Sequence, residues 1–348
     1  MARDWRELVD LRRLAEWMDG KGLGGGDIVA PTALTGGTQN ILLRFERAGR
    51  SYVLRRPPPH TVANGDETMR REARVLGALA ATDVPHPRLI AACGDPEVLG
   101  AAFYLMEPVE GFNATVALPP RHAGDPAIRR EMGFALVDAA AALGRADAIA
   151  VGLQDFGRTD NFLARQPARW RDQLEGYAKH EGWPGAAQIP GVAEVGAWLA
   201  ANLPATFTPG IMHGDMHLAN VIYRPDSAEV AAIVDWELAT LGDPLVDLAW
   251  VLATWPDPAD ENQAAATVTP WEGFPTGDEL VERYAQGSDR DMSAMLWYRV
   301  LACYKLGILL EGSYARAAAG KADPAIGAML HRQTIILFKR ALRWLDAA

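Results

Sequence analysis

Apolar positions repeat with two different periods along the chain, and the change between them falls near residue 110. Before that point, short stretches with strand-like alternation are separated by turns. They predict strands near 40–46, 51–55, 88–92 and 102–109, with a tight link at 47–50 joining the first pair as a β-hairpin. Helical spacing occurs here at about 4–19 and 66–81. The N-terminal part is therefore predicted to be a small antiparallel sheet with one helix inserted after its third strand.

Helical periodicity dominates the rest of the chain. It predicts helices at about 125–145, 166–180, 192–202, 278–286, 291–316 and 323–346, with a short β-hairpin near 219–223 and 230–235. The fold class is therefore α+β, with a sheet-rich N-terminal lobe over residues 1–108 and a mostly helical C-terminal lobe over 109–348. The hinge between them is expected near 106–111.

The segment with the strongest chemical signal is HGDMHLAN, which is followed by the sequence DWE after the predicted hairpin. Transfer of a phosphoryl group from ATP needs a carboxylate that orients and deprotonates a hydroxyl, ligands for Mg²⁺, and cations on the phosphates. Asp215 supplies such a carboxylate, and Asn220 follows it at the Asp-to-Asn offset of the kinase catalytic loop. The hairpin would return Asp235 beside Asn220, giving a pair of oxygen ligands suited to Mg²⁺.

These motifs, with IVDWELATLGDPLVDLAW, resemble the aminoglycoside phosphotransferase and choline kinase superfamily over roughly residues 28–340. The resemblance implies a protein-kinase-like bilobal fold with Asp215 as catalytic base and Asn220 and Asp235 as metal ligands. It makes His213 and Asp247 braces of the catalytic loop. His217 is left between loop packing and substrate contact, and Glu237 between a structural role and contact with metal or substrate.

The N-terminal lobe contains matching candidates for nucleotide binding. A glycine-rich turn with Gly36, Gly37 and Thr38 precedes a strand, where backbone N–H groups can approach phosphate oxygens. On the strand at 51–55, alternation places Val53 and Arg55 on one face. In the kinase arrangement that the chain resembles, these two positions meet adenine and the phosphates respectively. The other candidates are Glu72 on the helix, expected to pair with Arg55, and Met106 and Glu107 at the adenine edge of the hinge.

Arg55 departs from the superfamily, which usually has lysine at this position. A planar guanidinium is not equivalent to an ammonium. Two interpretations stay open: an active variant, which the intact Asp215, Asn220 and Asp235 favour, or a regulatory pseudokinase that binds nucleotide without turnover. Metal-dependent hydrolysis by His213, Asp215, His217 and Asp235 is a third, less well supported alternative.

Composition and charge limit the partners. The net charge is −10 and the pI about 5.2, which argues against nucleic acid and anionic membranes as partners. There is no apolar run long enough to span a bilayer and no secretory pattern at the N-terminus, and the two cysteines provide no disulfide framework. We expect a cytoplasmic protein that binds ATP, Mg²⁺ and a small hydroxyl-bearing substrate; its oligomeric state is left open.

The acceptor is predicted to be a small molecule. Only seven residues separate Asp235 from Asp243, where the next helix is expected to begin, so there is no room for the activation segment of a protein kinase. Acidic residues at 255–291 would suit a cationic acceptor such as an aminoglycoside or choline, although a solvated acidic loop is the better explanation of them. The amino-acid sequence of the N-terminal lobe resembles the branch of phosphotransferases related to the kinase domain associated with acyl-CoA dehydrogenases. That resemblance favours a hydroxyacyl-CoA or hydroxy acid.

Overall fold

An antiparallel sheet forms the N-terminal lobe in the computed structural model, which describes residues 5–34, 40–57, 64–260 and 268–347. The described strands of this sheet are β1 (Val29–Ala33), β2 (Ile41–Arg47), β3 (Arg50–Arg56), β4 (Leu89–Cys93) and β5 (Phe103–Met106), in the spatial order β1-β2-β3-β5-β4. Strands β2 and β3 pair from Ile41 opposite Arg56 to Arg47 opposite Arg50, so the predicted hairpin is confirmed.

One helix covers each face of this sheet. Helix α1 (Leu11–Gly20) packs Leu14 and Met18 against the β2–β5 face that carries Phe45 and Phe103. Helix α2 (Gly65–Leu79), inserted between β3 and β4, packs on the opposite face in a core that continues into the helical lobe. Because side chains alternate along a strand, this arrangement buries both faces of β3 and β5.

The C-terminal lobe is built mainly of helices. These are α3 (Pro120–Gly124), α4 (Pro126–Arg145), α5 (Arg165–Glu175), α6 (Val192–Ala201), α7 (Leu245–Thr254), α8 (Gly277–Gln286), α9 (Met295–Ala318) and α10 (Pro324–Asp346). Four short strands lie between α6 and α7: β6 (Gly210–Met212), β7 (Val221–Tyr223), β8 (Val230–Ile233) and β9 (Thr240–Gly242), with β6 paired to β9 and β7 to β8.

Local capping explains where several helices begin. Asp125 and Asp323 accept hydrogen bonds from backbone N–H groups in the first turns of α4 and α10, and each is followed by a proline at the first helical position. Thr276 and Glu279 form a reciprocal capping box at the start of α8. Helix α9 then lies in the centre of the lobe, with Val300, Leu301 and Ile308 fully buried.

The α+β bilobal class predicted from the sequence is confirmed, with differences at element ends. Helix α1 begins at Leu11 because Asp10 caps it, and the preceding residues Trp5–Glu7 form a 3₁₀ turn. The β6–β9 pair was not predicted, since its two three-residue strands show no period and are separated in the chain by the β7–β8 hairpin. The boundary between the two lobes, placed between residues 108 and 109, stays a prediction. Across the described ranges, no helix combines the length and apolar character needed to cross a membrane.

Candidate active site

The HGD segment leaves strand β6 in a turn that requires glycine. Gly214 has a φ of +86°, and a Cβ at this position would lie 2.5 Å from the Leu238 carbonyl oxygen. Glycine is therefore required here both by its backbone angle and by a close approach of two backbone segments. The result is a sharp loop after β6 that carries Asp215.

Two buried residues, Asp247 and His213, hold the backbone of this loop through hydrogen bonds. Asp247, on α7, accepts the backbone N–H groups of His213 and Gly214 at 2.6 and 2.8 Å. The His213 ring lies 2.9 Å from the Val234 carbonyl oxygen through Nε2, and its Nδ1 accepts the Asp215 N–H at 3.3 Å. Burial lowers the pKa of His213, so the ring is neutral. With both ring nitrogens engaged, His213 is a brace rather than a metal ligand.

The Asp215 carboxylate is held by donors on both oxygens. Trp250 Nε1 donates to Oδ1 at 2.7 Å, and Asn220 Nδ2 donates to Oδ2 at 3.0 Å. Burial raises the pKa of Asp215, but His217 and Trp250 outweigh it and bring the pKa to about 2. The group is therefore ionised at neutral pH. His217 contacts Asp215, and its Nδ1 accepts the Ala219 backbone N–H, so His217 takes part in the packing of the loop.

The β7–β8 hairpin connects the two predicted metal ligands. Strand β7 starts directly after Asn220, and Val234 N–H donates to the Asn220 carbonyl oxygen at 2.8 Å. Asp235 follows, in the left-handed region with a φ of 68°. A non-glycine residue with such a φ is uncommon and marks a constrained position. The hairpin therefore returns Asp235 beside Asn220, as the sequence predicted.

Arg55 links the sheet to this loop. Its Nε lies 2.9 Å from Glu72 Oε2, and its Nη2 lies 2.6 Å from Asp235 Oδ1. Tyr104 donates to Glu72 at 2.8 Å and completes the buried network. Burial lowers the pKa of Arg55, but Glu72, Tyr104 and Asp235 raise it by more, so the guanidinium stays charged. The predicted contact between Arg55 and Glu72 is present; the contact with Asp235 was not predicted.

The predicted adenine-side residues lie along two neighbouring strands. Val53 is buried and stands opposite Met106 in the β3–β5 register. Glu107 N–H donates to the Arg88 carbonyl oxygen, so its contribution to an adenine edge would be its own carbonyl oxygen. The predicted phosphate turn, with Gly36, Gly37 and Thr38, lies outside the described residues.

The donor set suits a hard divalent cation bound together with nucleotide. Asn220 turns its side-chain amide nitrogen toward Asp215, which leaves the side-chain oxygen Oδ1 as the atom that could bind a metal ion. Asp235 already contacts a cation, the guanidinium of Arg55. Mg²⁺ is usually held by one or two protein oxygens with substrate phosphates filling other positions. Glu237 lies nearby, and burial and Asp235 raise its pKa, while Arg55 lowers it.

Sequence reasoning missed two residues at this site. Trp250 was not predicted to contact Asp215, yet its Nε1 donates to this carboxylate. Lys305, on α9, places its Nζ 4.2 Å from the Trp250 ring centroid and 3.3 Å from the Gly214 carbonyl oxygen. The available signal was a lysine within the otherwise apolar stretch LACYKLGILL. Such an isolated charge in a buried helix indicates a specific partner.

Comparison with known proteins gives a consistent result. Residues 32–286 match the phosphotransferase enzyme family. The probable acyl-CoA dehydrogenase IBR3 of Arabidopsis thaliana is 32% identical over 287 residues, which cover 79% of this chain and 34% of the relative. The chain spans about a third of the length of the curated relatives it matches. The predicted resemblance to the branch related to acyl-CoA dehydrogenases is thereby confirmed.

Solved structures show the same fold. A Ralstonia eutropha protein assigned to the aminoglycoside phosphotransferases is 27% identical, with a TM-score of 0.78, covering 96% of this chain and 98% of the other. A thermostable mutant of aminoglycoside phosphotransferase APH(4)-Ia, in a ternary complex with AMP-PNP and hygromycin B, is 15% identical with a TM-score of 0.56. That alignment covers 92% of this chain and 98% of the other. At this lower identity, the second comparison shows the fold alone.

Proposed function

Because the chain belongs to the phosphotransferase enzyme family, we propose that it transfers the γ-phosphoryl group of ATP to a hydroxyl of a small molecule. The observation that carries this proposal is the convergence of a fixed carboxylate, an amide and a second carboxylate beside a buried cation. Asn220 contacts Asp215 at 3.0 Å, and Arg55 contacts Asp235 at 2.6 Å. These are the parts that phosphoryl transfer requires.

In this proposal, Asp215 accepts the proton of the acceptor hydroxyl. With a pKa of about 2 it is a weak base, so its main contribution is to hold the hydroxyl oxygen in line with the phosphorus, and the proton moves as the new bond forms. Trp250 and Asn220 fix the two carboxylate oxygens, which restricts the direction from which a hydroxyl can approach.

Arg55 is proposed to bind the phosphates, with Glu72 and Tyr104 holding the guanidinium in place. Asn220 and Asp235 would hold Mg²⁺, which when bound neutralises charge on the β- and γ-phosphates. Val53 and Met106 would contact adenine, and Glu107 would contribute its backbone to the adenine edge. The glycine turn at 35–39 would cover the phosphates.

We favour a hydroxyacyl-CoA or a hydroxy acid as the acceptor over an aminoglycoside or choline. The support is the set of curated relatives, which are named as acyl-CoA dehydrogenases. A hydroxylated acyl compound would be chemically close to the acyl-CoA that these names state. The matching segment covers about a third of the length of these relatives.

A regulatory protein that binds nucleotide without turnover is the second candidate. One observation favours it: Arg55 occupies the Asp235 carboxylate that a metal ion would need. In this case MgATP would bind, the binding would survive substitution of Asp215, and no phosphorylated product would form with any acceptor.

The test is phosphoryl transfer from MgATP to hydroxyacyl-CoAs, hydroxy acids, choline and aminoglycosides, comparing wild type with Asp215→Asn. We expect product with the wild type and a loss of at least about 100-fold in kcat for the variant, since positioning and proton transfer are both removed. The matched control is Asp226→Asn, an exposed aspartate in the β7–β8 turn. Binding of MgATP by calorimetry with no product from any acceptor would favour the regulatory protein instead, and absence of binding would contradict both.

A further inference from the structure

Lys305 is a cation that reaches the Asp215 loop from the central helix α9. Its Nζ donates to the Gly214 carbonyl oxygen at 3.3 Å and lies 4.2 Å from the centre of the Trp250 ring. Gly214 directly precedes Asp215 in the chain, and Trp250 donates to the Asp215 carboxylate. One side chain therefore contacts both the backbone that carries Asp215 and the indole that binds its carboxylate.

The Trp250 ring connects this ammonium to the proposed catalytic carboxylate. A cation over the face of an indole is attracted by the electrons of the ring. The same indole donates through Nε1 to Asp215 Oδ1 at 2.7 Å. Because the cation draws electron density toward itself, it makes the N–H group a better donor to an ionised carboxylate. The charge of Lys305 therefore strengthens the hydrogen bond that orients Asp215.

Asp247 depends on the same positive charge. It accepts the backbone N–H groups of His213 and Gly214 at 2.6 and 2.8 Å. Burial raises the pKa of Asp247, and His213, these two hydrogen bonds and Lys305 lower it. Because burial lowers the pKa of His213 and leaves that ring neutral, the full positive charge comes from Lys305. Lys305 thus helps to keep Asp247 ionised and able to accept both N–H groups.

The charge of Lys305 is balanced between opposing influences. Burial lowers the pKa of Lys305 to about 8; Asp247 on α7 and Asp215 on the loop raise it, and Arg169 on α5 lowers it. The ammonium is therefore the main form at pH 7 and is lost as the pH rises through about 8. An exposed lysine would keep its charge up to about pH 10.

We infer that Lys305 is a positioning residue for phosphoryl transfer, whose ammonium holds the Asp215 carboxylate in its reactive orientation through the Gly214 carbonyl group and the Trp250 indole. The inference rests on the proposed function. Lys305 acts through other groups and does not touch the reacting atoms. It is expected to affect kcat and to leave the affinity for MgATP unchanged, because its contacts lie at Gly214 and Trp250 rather than at the proposed metal ligands.

Variants of Lys305 separate its charge from its packing. Lys305→Met keeps most of the side-chain length without the charge, so we expect kcat to fall roughly 10- to 100-fold, as for a small displacement of a catalytic group. The Kd for MgATP, measured by calorimetry, should not change. Lys305→Arg keeps the charge and should restore most of kcat. The control is Lys321→Met, an exposed lysine beyond the end of α9, which should behave as the wild type.

The pH dependence of kcat is the measurement that a purely structural role would not affect. At saturating substrates, kcat of the wild type should fall as the pH rises through about 8 and the ammonium is lost. A guanidinium stays charged throughout this range, so the decrease should be absent in Lys305→Arg. It should also be absent in Lys305→Met, whose kcat is low at every pH. If Lys305→Met does not fold, the comparison of the wild type with Lys305→Arg decides alone.

Trp250→Phe tests the connecting indole. Phenylalanine keeps an aromatic face beside Lys305 but removes the donor to Asp215, so kcat should fall. Since Lys305 acts partly through this donor, the double variant with Lys305→Met should lose less kcat than the product of the two single losses.

The outcomes are distinct. A Lys305→Met variant with the kcat of the wild type, a decrease near pH 8 that persists in Lys305→Arg, or single losses that multiply in the double variant would overturn the inference while leaving phosphoryl transfer in place. A wild type that phosphorylates no acceptor would overturn the proposed function itself, together with the role of Lys305 that rests on it.

Discussion

At the scale of single residues, the unusual feature is an arginine shared between two carboxylates. Arg55 Nη2 donates to Asp235 at 2.6 Å and to Glu72 at 3.2 Å, and Nε lies 2.9 Å from Glu72; a lysine ammonium cannot reproduce this planar fork. The sequence predicted the first contact because strand alternation and the following helix place both residues on one face. It could not predict the second, since Asp235 lies 180 residues further along the chain.

Substitution of Arg55 by lysine should therefore weaken nucleotide binding. In the proposed function the guanidinium binds the phosphates through paired N–H groups, which a lysine ammonium lacks, so we expect Arg55→Lys to raise the Kd for MgATP by roughly tenfold, equivalent to about 1.4 kcal/mol. Titration calorimetry measures it. Arg44→Lys, in the exposed pair with Glu110 on strand β2, is the matched control and should leave Kd unchanged. An Arg55→Lys variant that binds MgATP as tightly as the wild type would show that the fork is not needed.

At the scale of elements, short strands position the loop that carries Asp215. The β7–β8 hairpin was predicted because its apolar residues and turn were legible in the sequence. The β6–β9 pair was not, although it holds the loop that begins at His213. Its register depends on contacts between segments that are separated by a hairpin, and three residues carry too little periodicity to reveal them. Lys305 was missed because of a similar separation in the chain, since it reaches the site from a helix about 90 residues later.

Two glycines offer a direct test of this loop. Gly214 and Gly100 both have positive φ, but only at Gly214 does a Cβ meet a backbone oxygen. Gly100→Ala should cost about 1–2 kcal/mol of unfolding free energy and leave kcat intact. Gly214→Ala should cost more and lower kcat at least about tenfold, because the loop must move away from Leu238. Urea denaturation and steady-state kinetics measure both; equal effects of the two substitutions would show that the close approach is unimportant.

At the scale of the whole molecule, hydrogen bonds and an ion pair connect the C-terminal helix α10 to residues 252–260. Arg340, fully buried on α10, donates to the carbonyl oxygens of Leu252, Ala253 and Trp255, at the end of α7. It also pairs with the buried Asp260. The hydrophobic pattern predicted α10 but not this contact, because a single arginine in an amphipathic helix is more often on its exposed side.

Loss of this connection should destabilise the entire lobe. Arg340→Met removes the buried ion pair with Asp260 and the shared donor of three carbonyl oxygens, so we expect a loss of about 3–5 kcal/mol in unfolding free energy. The partly exposed Arg343, which contacts the same aspartate, is the control, and Arg343→Met should cost about 1 kcal/mol or less. Chemical denaturation measures both. Similar losses for the two variants would mean that burial of Arg340 adds nothing.

The ion pair between Arg55 and Asp235 has a further consequence for the two lobes. In the proposed function, one carboxylate serves two competing cations: the guanidinium from the sheet and the divalent ion that arrives with nucleotide. Whatever free energy the protein gains from the first is subtracted from its affinity for the second, a factor of ten for each 1.4 kcal/mol. The empty enzyme then holds its lobes together through Asp235, and the loaded enzyme holds them through the phosphates. Metal concentration would thus set how readily the cleft exchanges one connection for the other.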